Sequence, residues 1–189
     1  MKKLLLIPAI LILLTPLAAW AIYKPVRVLA PEWIESVTCV SSIICIDDET
    51  QYSEASKLYE NALDFIASAV GPFQDNPRVI FCTTETCFQS FGFNRASAST
   101  VGKSGIVISP RGWKSYYIRH EMIHYRQAEE LGILASLSEP EWFIEGMAYS
   151  LSDDPRKQLS EPWEQHRVKF NAWFKKIGKD RLWYEAKKL

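Results

Sequence analysis

The 189-residue sequence has no surplus of charge of either sign, with 22 Lys and Arg against 22 Asp and Glu. Without a basic excess there is no electrostatic footprint for a phosphate backbone, and nucleic acid is excluded as an expected partner. Glycine is scarce as well. The 8 glycines form neither a phosphate-cradling loop nor a Gly-x-Ser-x-Gly elbow around a serine nucleophile. There is no internal repeat and no low-complexity tract, so neither a solenoid nor a disordered linker is expected. What is present is ordinary globular material: 48% hydrophobic and 13% aromatic residues, enough for the core of one domain.

The first residues stand apart from that domain. Lys2 and Lys3 precede an apolar run over residues 4–22, and Ala19-Trp20-Ala21 has the small-x-small pattern that a signal peptidase reads. The expected organisation is a signal peptide over residues 1–21 followed by a domain over residues 22–189. The alternative is an uncleaved anchor, because 19 apolar residues just span a hydrocarbon core of about 30 Å; Pro8 and Pro16 weaken that reading. Both readings put the remainder outside the cytoplasm, in the periplasm or beyond the cell, with a membrane as partner only through residues 4–22. Cys39, Cys45, Cys82 and Cys87 all lie beyond the leader in two close pairs. An oxidising compartment turns such pairs into disulfides, and the local pairing closes short loops. A structural zinc site would call for the Cys-x2-Cys spacing, which is missing.

Periodicity outlines an α+β domain. Residues 25–29 and 42–46 read as short β-rich pieces, the second in a disulfide-pinned hairpin. Apolar residues recur every three to four positions over 52–70, a helix that Gly71-Pro72 stops. Residues 77–82 and 104–109 read as strands, and 88–103, rich in small and polar residues, as loop. A long helix is expected over 113–131. Ser138-Glu139-Pro140-Glu141 has the form of a capping box opening a helix over 140–151, and a last helix is expected over 162–177.

The chemistry concentrates at His120-Glu121-Met122-Ile123-His124. On a helix, residues four apart share a face, so both imidazoles reach one ion, and Glu121, one step round, lies beside it as a base for water. With 3 His and 15 Glu in the chain, a random shuffle yields this pattern roughly once in 400 sequences. A catalytic zinc site needs a third protein ligand. Residues 125–133 hold no histidine, which excludes the metzincin continuation. The sequence offers instead Trp142-Phe143-Ile144-Glu145-Gly146-Met147-Ala148, in which Glu145 follows His124 after 20 intervening residues. Glu141, one turn earlier, is the rival ligand, but it sits in the expected cap and lacks the following Gly.

Over about a quarter of the chain these motifs resemble the gluzincin metallopeptidases, and the Trp-x-x-Glu-Gly-x-Ala setting resembles the aminopeptidase N type. The resemblance implies a minimal zincin-like domain with a small sheet, a central His-bearing helix and a Glu-bearing helix. It further implies Zn²⁺ held by His120, His124 and Glu145, Glu121 as general base, and residues 105–109 as the edge strand that pairs with an extended peptide. Two departures bear on activity. The Gly-x-Met-x-Asn loop that holds a free amino terminus is absent, so the implied activity is that of an endopeptidase on a peptide or protein substrate. Where thermolysin-like enzymes carry Asp four residues after the Glu ligand, this chain has Tyr149, leaving Tyr149, Ser152 or Asp153 for the supporting role and Tyr149 or His166 as oxyanion donor. The rival expectations are a non-catalytic exported zinc-containing binding module and a hydrolase of non-protein amides. If the leader is cleaved where the pattern places it, intact-mass analysis of exported material should give a chain beginning at Ile22; retention of Lys2 and Lys3 in membrane fractions would instead identify the anchor.

Overall fold

A computed structural model of the chain describes residues 22–133 and 138–189; the leader expected over residues 1–21 lies outside the described residues. Five short strands form one mixed sheet: β1 (Thr38–Cys39), β2 (Ile44–Ile46), β3 (Val79–Phe81), β4 (Ala98–Val101) and β5 (Gly105–Ile108), in the order β1-β2-β3-β5-β4. β2, β3 and β5 run parallel to one another, and β1 and β4 pair antiparallel at the two margins.

Strand side chains alternate between faces, and here both faces are covered. Ile44, Ile46, Val79, Phe81, Ile106 and Ile108 join the main core on the helical side. Cys45, Ile80 and Val107 face the other way and pack with Val28, Val37, Phe88 and Phe91. Double coverage explains why the central strands read as unbroken apolar runs. The helices are α1 (Tyr52–Val70), α2 (Glu85–Ser90), α3 (Ser115–Leu131), α4 (Glu141–Leu151), α5 (Trp163–Ile177) and α6 (Leu182–Ala186). Together with the sheet they make an α+β fold. Among the described residues no helix is long and apolar enough to cross a membrane.

Several local expectations are corrected. Residues 25–29 are not a β piece; Lys24–Leu29 is a 3₁₀ helix with Pro25 in its first turn and Val28 buried. Proline suits a first helical turn and cannot donate to a ladder. The expected loop over 88–103 contains the end of α2, whose start is capped by the Thr84 side chain accepting from the Cys87 N–H, and the whole of β4. Consequently β5, at the position expected for the edge, is an inner strand, and the edge belongs to β4. The expected capping box does not start α4: Pro140 occupies the N-cap, with no side-chain cap hydrogen bond. Trp113 precedes α3 rather than beginning it, and its Nε1–H donates to Cys82 O at 2.9 Å. The disulfides are the local ones, Cys39–Cys45 and Cys82–Cys87, as suits an oxidising, exported setting.

Two packing relations bring the polar residues of α3 and α4 together. α3 lies against α1, α4 and strands β4 and β5, and α4 lies against α5. The two helices approach closely at Gly146, where an added Cβ would stand 2.3 Å from the His166 carbonyl oxygen. Alanine's better helix propensity, about 1 kcal/mol, cannot offset a collision with backbone. Gly146→Ala should therefore destabilise the protein by about 2 kcal/mol net, read as a lower urea midpoint with an unchanged slope.

Candidate metal centre

Near the middle of α3, His120 and His124 project from one face, one helical turn apart. Their Nε2 atoms are 3.0 Å from each other. Glu145, near the middle of α4, brings Oε2 to 3.5 Å from His120 Nε2 and Oε1 to 3.6 Å from His124 Nε2. The three side chains offer donor atoms all within 4.8 Å of one another, a group that could hold a metal ion. Glu141, the rival ligand, is exposed at the start of α4 and is not part of the group.

The surroundings prepare the donors. Gln127, three residues beyond His124, donates through Nε2 to the Ile144 carbonyl at 3.0 Å, which turns its own carbonyl oxygen towards His124 Nδ1 at 2.9 Å. Gln127 Oε1 can only accept, so in this pair His124 Nδ1–H donates, and the ring turns Nε2 towards the cluster. The same side chain ties α3 to α4 one residue before Glu145. Burial by itself would raise the Glu145 carboxyl, but its hydrogen bond with His120 and the charges of His124, His120 and His166 outweigh that and hold it below the usual carboxylate range.

Glu121 is buried next to the cluster but outside it. Thr100 on β4 donates from Oγ1 to Glu121 Oε2 at 2.7 Å and lies 2.9 Å from the Glu121 carbonyl oxygen. Glu121, His120, His124 and Glu145 share the floor of a cleft of about 710 Å³, walled on one side by β4 and on the other by Ile144 and Trp163.

The remaining candidates sort by position. Tyr149 packs its ring on His120, centroid to centroid 4.5 Å; burial, then the neighbouring Glu145 charge, pushes its hydroxyl up to about 12, so it keeps its proton at neutral pH. Asp153 turns away in a left-handed conformation, φ 59°, and pairs with Arg119 on the surface at 3.1 Å. Ser152 is fully buried. His166 packs on Trp163 with ring centroids 5.8 Å apart, and its Nδ1 is buried without a hydrogen-bond partner. The buried carboxylate at this end of the site is Asp154, gripped by Arg156, whose guanidinium lies 5.5 Å from the Tyr149 ring centroid. Burial would raise the Asp154 carboxyl, but the Arg156 hydrogen bonds hold it low, with the His120 charge adding to them.

Thr100 and Asp154 carry no signal in the linear sequence, being on a strand and a loop whose neighbours are set by the fold. Gln127 does carry one, since position i+3 from His124 shares its helix face. Comparison of the chain with protein-family models, with curated proteins and with solved structures gives no match.

The ligand assignment is checked by metal affinity, measured in competition with a chromophoric chelator. Gln127→Ala should weaken binding of one divalent ion by about 10- to 100-fold, the usual effect of removing a partner of a ligating histidine. Glu145→Gln should weaken it further, and Glu141→Gln should leave it unchanged.

Proposed function

We propose that this chain is a zinc-dependent peptidase of gluzincin type that cuts extended peptide segments outside the cytoplasm. The observation that carries the reading is the convergence of His120, His124 and Glu145 with a separate carboxylate, Glu121, on the floor of one cleft. A site serving stability alone has no need of a base beside its ligands. The donor set suits zinc: two imidazoles and a carboxylate leave one of four positions open, the pattern of catalytic rather than structural sites. Donor separations of 3.0, 3.5 and 3.6 Å bracket the edge of roughly 3.3 Å that a tetrahedron with bonds of 2.0–2.1 Å requires. Zinc held there supplies a Lewis acid for the scissile carbonyl.

The chain's own groups supply the rest. Glu121 takes a proton from water through its carboxylate and passes it to the leaving amine. Tyr149, kept protonated beside His120, is the hydroxyl available to donate to the developing oxyanion. His166, carried on α5, adds the smallest of the electrostatic contributions that help to hold the Glu145 carboxyl low.

The cleft also bears on the substrate. Its lining includes Phe93, Val101, Ile133, Ile144 and Trp163, and among the described residues no lysine or arginine. No cation is there to hold a terminal carboxylate and no Gly-x-Met-x-Asn loop to hold a terminal amine, so an internal peptide segment fits best. β4, at the sheet margin, offers the backbone edge for such a segment to pair with. The two disulfides support a setting outside the cytoplasm, in the periplasm or beyond.

The test is digestion of a fluorogenic peptide library by protein comprising residues 22–189, with and without chelator. Cleavage should require the metal, and Glu121→Gln should lower turnover by about 10²-fold or more with metal content and thermal midpoint near wild type. Full metal content without cleavage of any peptide would favour the non-catalytic module. A Glu121→Gln variant as fast as wild type would remove the base from the account.

A further inference from the structure

From the bond between β4 and α3 we infer that Thr100 is a positioning residue, which aims the Glu121 carboxylate and couples that aim to the strand the substrate pairs with. The inference rests on the reading of Glu121 as the base.

The side chain comes first. A threonine hydroxyl has one proton to donate. Thr100 Oγ1 stands 2.7 Å from Glu121 Oε2 and 2.9 Å from the carbonyl oxygen of the same residue. The hydroxyl therefore meets both the fixed backbone of α3 and the mobile end of the side chain, which defines where the carboxylate lies relative to the helix. A hydrogen bond to an ionised acceptor is the strong kind. It occupies Oε2 and leaves Oε1 as the oxygen that exchanges the proton.

The backbone of the same residue does something different. Ser109 N–H donates to Ser97 O at 3.0 Å, and the register sets Ser99 opposite Val107 and Val101 opposite Gly105. Hydrogen-bonded and non-hydrogen-bonded pairs alternate along an antiparallel ladder. Residues 97, 99 and 101 therefore bond inward to β5, while the N–H and C=O groups of Ala98 and Thr100 point to the outer edge. β5 agrees, since Ile106 N–H and Ile108 C=O, the groups left over from β4, bond to Arg78 O and Cys82 N–H on the β3 side. Thr100 thus presents its peptide groups to an incoming strand and its hydroxyl to the base. A substrate that pairs with Thr100 and steadies β4 also steadies the hydroxyl that holds Glu121, so docking and the aim of the base are coupled.

The experiment compares Thr100→Val, which keeps the shape and loses the hydroxyl, with Thr100→Ser, which keeps the hydroxyl, using the peptide that wild type cleaves fastest. Thr100→Val should lose roughly tenfold in kcat, as expected for one hydrogen bond to a charged group, with KM little changed because the backbone edge is intact. Thr100→Ser should recover most of the rate. Metal affinity should be equal in all three proteins, and crystal structures should find the Glu121 carboxylate displaced from β4 in Thr100→Val and held in Thr100→Ser. If Thr100→Val folds poorly, Thr100→Ala against Thr100→Ser gives the same comparison. The inference is overturned if Thr100→Val turns over like wild type, or if Thr100→Ser is as slow as Thr100→Val, which would make the effect one of packing. Failure of the parent reading is separate, since it is read from Glu121→Gln.

Discussion

Two imidazole nitrogens and a carboxylate drawn to within 3.0–3.6 Å of one another, on a cleft floor mostly shielded from water, rest together only with a proton or a cation among them. Lone pairs facing lone pairs repel, and burial removes the water that would relieve them. A shared proton meets the need in part and a divalent cation meets it fully. Much of the architecture around the cluster serves to hold the donors in this unfavourable proximity. Gln127 pins His124 and the α4 backbone together, the bare Gly146 backbone lets α5 press α4 from behind, and Tyr149 backs the His120 ring. An ion held by these donors would bind the folded state and not the unfolded one, so its loading would be linked to folding.

How far the sequence foretells this depends on the range of the forces involved. α1 occupies the residues its periodicity marks, because a 19-residue amphipathic helix writes its buried face into the chain at fixed intervals. The His120/His124 pair and Glu121 are legible for the same reason, being three positions on one helix. Glu145 is legible only through the spacing and setting of a known family, since nothing local says that α4 will fold back on α3. β4 is not legible at all. Ala98, Ser99, Thr100 and Val101 are small, show no two-residue alternation, and become a strand only because β5 lies alongside. Thr100 is hidden with it, as is Asp154, whose burial depends on Arg156 and on rings carried by other elements.

The N-terminal segment is governed by the same long-range forces. Val26, Arg27 and Val28 have the composition of a strand, yet the segment coils into a 3₁₀ turn that places Val28 against the sheet face opposite the helices. That face needs a cover because Ile80 and Val107 are apolar there and, of the helices, the short α2 brings Cys87 and Phe88 to the cluster. A chain of this size has few elements to spare, and the proline in the first turn decides which form the cover takes. Tyr23 and Pro25, at the start of the same segment, reach the rim of the cleft, so the piece that closes the back of the sheet also shapes the mouth of the site.

An open strand margin also bears on self-association. Any extended chain can add to it, including a second copy of this protein, and such growth is how sheets recruit one another into aggregates. β4 limits this by its length: it has four residues, of which only Ala98 and Thr100 turn their peptide groups outward, and Gly102 bends the chain away directly afterwards with φ +51°. A passing strand finds room for very few ladder bonds and gains little by staying. A margin this brief has room for a short visitor and little to offer sheet-to-sheet assembly.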